Sequence, residues 1–82
     1  MLRTKEEALN LAERMINDHT VSVKSGDMYV NVIDHWNDDK GPLHEVDGFN
    51  EFTGDHWVFF VRNAEELSEY LWERRDIYEV TK

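Results

Sequence analysis

The chain has 82 residues, with 18 acidic against 9 basic side chains, a formal net charge of -9 and no cysteine. Without thiols it has no disulfide framework, zinc–thiolate centre or thiol nucleophile, and no apolar run approaches the roughly 18 residues of a membrane span. An excess of carboxylates also opposes direct binding to DNA, RNA or anionic lipid, whose phosphates call for Lys and Arg. Three Trp, three Tyr and four Phe give a short chain the bulk to close a core. The expectation is one small, folded, acidic domain. Residues Met1 to Glu7 carry no apolar signal segment, which points to the cytosol.

Thr4-Lys5-Glu6-Glu7 is a capping box, a Thr N-cap with Glu three residues on, and predicts a helix to about Asp18. Ala8, Leu11, Ala12 and Met15 recur at helical spacing and form its inward stripe, widened by Leu9 and Ile16. The period then falls to two in Thr20–Lys24 and again in Met28–Val32. Gly26-Asp27 between them is a two-residue hairpin turn, and it sets Val23 opposite Val30 and Val21 opposite Val32 on one face.

From Asp34 to Asp55 the alternation dissolves, and Lys40-Gly41-Pro42, Asp47-Gly48 and Thr53-Gly54-Asp55 are turn signals. A structureless stretch of this length is unusual in a compact domain, so at least one short strand is expected near residues 45 to 52. Trp57-Val58-Phe59-Phe60-Val61 is continuously apolar and reads as a strand covered on both faces, or as a central strand under a helix, with Trp57, Phe59 and Phe60 in the core. Asn63-Ala64-Glu65-Glu66 opens a second helix to about Arg75, with Ala64, Leu67 and Leu71 inward and Tyr70 and Trp72 on its two flanks. Ile77-Tyr78-Glu79-Val80 closes the chain as a short strand. The order is α-β-β-(β)-β-α-β, an α+β domain with a mostly antiparallel sheet of three to four strands and two helices packed on it.

The charge is localised. Residues 1–33 hold five acids and four bases, whereas residues 34–82 hold thirteen acids and five bases. Between 34 and 55 lie Asp34, Asp38, Asp39, Glu45, Asp47, Glu51 and Asp55 against Lys40 alone, together with Trp36, Phe49 and Phe52. The bland account is a solvated segment that keeps the protein dispersed. The functional account is an acidic surface with aromatic anchors, Trp36 first among them, that docks on a basic partner. Glu65, Glu69 and Glu73 repeat at helical spacing on the second helix, where like charges repel. If that ridge shares a surface with the 34–55 segment, the combined field imitates a phosphate backbone.

His35, His44 and His56 stand among carboxylates, but their intervals match no compact metal-ligand pair, and no metal or cofactor is expected. Ser22, Ser25 and Ser68 lack a nucleophile-elbow context. Asp34-His35 and Asp55-His56 are adjacent on strands and so point to opposite faces. The chain reads as a non-catalytic binding module, an inhibitor or modulator that occupies a basic site of the kind that grips nucleic acid. Its contact residues are Asp34, Trp36, Asp38, Asp39, Glu45, Asp47, Glu51, Asp55, Glu65, Glu69 and Glu73. In size and charge it resembles the small acidic proteins with which bacteriophages take over a host or block its defences. The alternatives are a homodimer or larger homo-oligomer whose acidity only disperses it, and a small metal-dependent binding protein.

Overall fold

A computed structural model describes residues 2–76 and 78–81. The elements are α1 (Lys5–Asn17), β1 (Ser22–Ser25), β2 (Met28–Asp38), β3 (Gly41–Asn50), β4 (His56–Val61), α2 (Ala64–Glu73) and β5 (Glu79–Thr81). The fold is α+β: a five-stranded antiparallel sheet in the order β4-β3-β2-β1-β5, with both helices on one face. Among the described residues no helix is long and apolar enough to cross a membrane.

Local chemistry sets the element boundaries. The Thr4 hydroxyl accepts from the Glu7 amide at 3.1 Å, and the Glu7 carboxylate accepts from the Thr4 amide at 3.1 Å, closing the expected capping box. At α2 the Asn63 side chain accepts from the Glu66 amide at 2.9 Å. The Glu66 carboxylate turns back one residue further, to the Arg62 amide at the end of β4. Gly26, at φ 60°, supplies the left-handed turn residue of the β1–β2 hairpin, whose register pairs Val23 with Val30 as the alternation requires. Of the last strand, Ile77 lies outside the described residues, and Glu79–Thr81 pairs with β1.

One core joins the layers. Leu11, Ala12 and Met15 of α1 and Leu67 and Leu71 of α2 meet Val23, Val30, Val32, Val46 and Val61 of the sheet. Tyr70 faces this core too: its ring lies 4.7 Å from that of Phe59, and its hydroxyl is 2.9 Å from that of Tyr78. Burial, then the Tyr78 hydroxyl, holds the Tyr70 phenol far above its usual range.

Two expectations are corrected. Residues 34 to 55 are regular for most of their length, because β2 runs on to Asp38 and β3 fills Gly41–Asn50. The alternation is hidden by a register shift between Val32 and Asp34, where Ile33 is an extra residue in β2. β4 is an outer strand, covered on one face only. Trp57 and Phe59 pack on the core, but Val58 is 42% and Phe60 51% exposed on the uncovered face.

Candidate functional site

The sheet face away from the helices carries Asp34, Trp36, Asp38, Glu45 and Asp47, five of the residues singled out by charge and aromaticity. The Ile33 bulge decides this. Val30 and Val32 point to the helices, and an uninterrupted β2 would send Asp34 and Trp36 the same way. The extra residue shifts the parity, so Asp34 pairs with Glu45, Trp36 with Leu43 and Asp38 with Gly41, all on the uncovered face. Glu45 in turn pairs with Phe60, and Asp47 with Val58.

Trp36 and Phe60 form the apolar centre of this face. Their rings meet edge to face at 5.8 Å, and Trp36 is 39% exposed. Val58, two residues before Phe60 on β4, is exposed on the same face, and Ile33 is exposed at the bulge. Asp34, Glu45 and Asp47 border these apolar side chains on the same face. Phe60 was hidden in the sequence because a continuous apolar run gives no parity from which to read its face.

The carboxylates around the patch are not equivalent. Asp38 takes a two-pronged contact from the Arg62 guanidinium, at 2.6 and 2.8 Å, and accepts from the Lys40 amide at 2.8 Å. The Arg62 contact, then the amide, lowers its pKa to about 2. Asp47 lies 2.7 Å from His56 Nε2, a contact between residues two steps out of direct register. Asp47 Oδ1 is buried with no hydrogen-bond partner among the described residues. The Glu45 carboxyl is pushed above its usual range, first because its protonated form hydrogen-bonds to Asp47, then by burial and by the charges of Asp47 and Asp34. Asp34 accepts from the adjacent His35 amide at 2.8 Å.

The remaining candidates lie elsewhere. Asp39 sits in the β2–β3 turn, and Glu51 and Asp55 lie in the β3–β4 connection at the opposite end of the sheet, beside Phe52, which is 86% exposed. Glu65, Glu69 and Glu73 are on α2, across the sheet from Asp34, Glu45 and Asp47. The helix ridge and the strand acids therefore do not form one continuous array, and the condition for a phosphate-like ladder is not met. At the outer edge of β4, Phe59, Phe60 and Val61 share an open groove with Glu66, Glu69 and Glu73 of α2.

Three histidines gather on the helix side. The His35 ring lies 5.7 Å from that of His19 and 6.1 Å from that of His44, beside the C-terminal turn of α1. His44 Nδ1 is buried without a partner among the described residues. Burial, then the charges of His35 and His19, lowers its pKa below 6.5. Among the described residues no group of three or more such side chains is set to hold a metal ion. No match to the chain was found among protein-family models, curated proteins or solved structures.

Proposed function

We propose that the protein is a cytosolic, non-catalytic binding module that docks the uncovered face of its sheet on a basic surface of a partner protein and so modulates that partner. The observation that carries this reading is the exposed Trp36–Phe60 pair, bordered by the carboxylates of Asp34, Glu45 and Asp47. Aromatic anchors ringed by charge supply both halves of a docking surface: desolvated area at the centre, and steering at the rim. Asp38 and Asp47 are tied to Arg62 and His56, which leaves Asp34 and Glu45 as the carboxylates best placed to meet a partner's Lys and Arg. The basic target sites of this kind include nucleic-acid-binding grooves.

The test is affinity capture from the source cell with the native chain, followed by direct titration of the captured partner with face variants. Trp36→Ala and Phe60→Ser should each weaken binding by about 1–3 kcal/mol, the usual cost of truncating a central aromatic, and Asp34→Lys should slow association. All three should stay folded by circular dichroism. Full affinity in all three variants would sink the reading.

A further inference from the structure

The outer edge of β4 is an unfilled strand position with chemistry of its own. Two hydrogen bonds outside the regular ladder fix which way its backbone groups point. The Asn50 amide donates to the Asp55 carbonyl at 2.8 Å, and the Glu51 amide donates to the Asp27 carbonyl at 2.8 Å. Hydrogen-bonded pairs alternate in an antiparallel ladder. With the observed register, Trp57, Phe59 and Val61 therefore bond to β3, while the N–H and C=O groups of Val58 and Phe60 point away from the sheet. Arg62 obeys the same parity, and its outward amide is taken by the Glu66 carboxylate, which stands in for a missing strand. No proline, bulge or lysine blunts this edge, the usual protections of an outer strand.

The surroundings select what could fill it. On the helix side the edge opens into a groove of about 370 Å³ lined by Phe59, Glu66, Glu69, Tyr70, Glu73 and Arg74. Arg74 is engaged there, over the Tyr70 ring at 4.0 Å and 3.5 Å from Glu73. Glu66 holds the Arg62 amide, and Glu69 has no partner among the described residues. The groove therefore has an excess of carboxylate. On the uncovered side the same edge presents Val58 and Phe60.

We infer that this edge takes up an extended segment of the partner as an added strand, with cationic side chains alternating with apolar ones. Its backbone would bond to Val58 and Phe60, its apolar side chains would extend the Trp36–Phe60 patch, and its Lys or Arg side chains would reach Glu69 and Glu73. A second copy of this chain fits poorly. Paired edge to edge, it would bring Trp57, Phe59 and Val61 to the helix side, with no cation among them, and set one row of α2 glutamates against another.

The inference rests on the binding-module reading and names the segment that the module grips. It is tested on the full chain with a short synthetic peptide alternating lysine and valine, by amide hydrogen exchange and by titration. Binding should slow exchange at Val58 and Phe60, and Glu69→Lys with Glu73→Lys should weaken it by about tenfold or more. A peptide N-methylated on the amides that face β4 should lose binding by a similar factor. Equal binding of the methylated peptide, or binding that leaves Val58 and Phe60 unprotected, would overturn strand addition while leaving docking by the uncovered face intact. No binding of the unmethylated peptide would overturn it as well. So would light scattering that gives a dimer with those two amides already protected, since the edge would then belong to a second copy.

Discussion

The indole of Trp57 lies against the bare backbone of Gly48, its direct partner across the β3–β4 ladder, on the space where any other residue would place a Cβ. Gly48 is buried and its φ is not positive, so only packing demands glycine there. Gly48→Ala would ordinarily gain about 0.4–1 kcal/mol by restricting the unfolded chain. Here the methyl would overlap the five- and six-membered rings of the indole, and overpacking of this kind costs about 1–3 kcal/mol. The clash should win, and urea unfolding should show net destabilisation. Adding Trp57→Phe should recover part of the loss, because the smaller ring vacates the overlap.

His44 predicts how the fold answers to acid. Its pKa is lowered from 6.5 by burial and by the nearby His35 and His19, so the unfolded chain binds this proton more readily than the folded one. Stability from the neutral ring is therefore complete above pH 6.5 and is lost as pH falls below it. Thermal melting should show a falling midpoint between neutral and mildly acidic pH. His44→Phe, which fills the space without a proton or an orphaned Nδ1, should flatten that slope. An unchanged slope would assign the pH dependence to other groups.

The histidine cluster and the proposed docking face arise from the same feature, and it is the feature least visible in the sequence. The caps at Thr4 and Asn63 and the Gly26-Asp27 turn are local, so they can be read directly, and the structure follows them. The one-residue bulge at Ile33 is not local. It sends Asp34 and Trp36 to the open face and His35 to the helix side, where it meets His44 near the end of α1. Beyond that point the helix-side positions are His35, Asn37, Pro42 and His44, which lie past the valine core and need not be apolar, so the period-two signal fades although the strands continue. β4 fails in the opposite sense: both of its faces are apolar, so its sequence cannot say that only Trp57, Phe59 and Val61 are covered. The candidate carboxylates were therefore legible by type, but their division between two faces was set by tertiary packing.

Glu45 and Asp47 sit two residues apart on the same face of β3, and their proximity gives a prediction of opposite sign to that of His44. The Glu45 pKa is raised above 4.5, so its contribution is fully present below pH 4.5 and is lost as pH rises through the folded value. At neutral pH two like charges adjoin, and Asp47 Oδ1 has no donor. Glu45→Gln removes one charge and offers an amide to that oxygen. It should raise the melting temperature at neutral pH and leave it nearly unchanged in acid. Glu45→Lys is the sharper control for binding, since it also removes the repulsion but reverses the rim charge proposed to steer the partner.

Arg62 and Asp38 join the end of β4 to the tip of the β2–β3 hairpin, 24 positions apart in the chain. The Asp38 pKa of about 2 lies below its ordinary 3.8, so this contribution is present above pH 3.8 and is lost only as pH falls toward about 2. The pair is partly exposed, so salt should weaken it. In Arg62→Gln the Asp38 carboxyl, followed by NMR, should titrate closer to 3.8. The Lys40 amide, held by Asp38 at 2.8 Å, should then exchange faster with solvent, while amides of the α1–α2 core should not change. Asp38→Asn should reproduce the faster exchange at the tip. If exchange at Lys40 is unaltered in both variants, the hairpin tip is held by its own turn and not by Arg62.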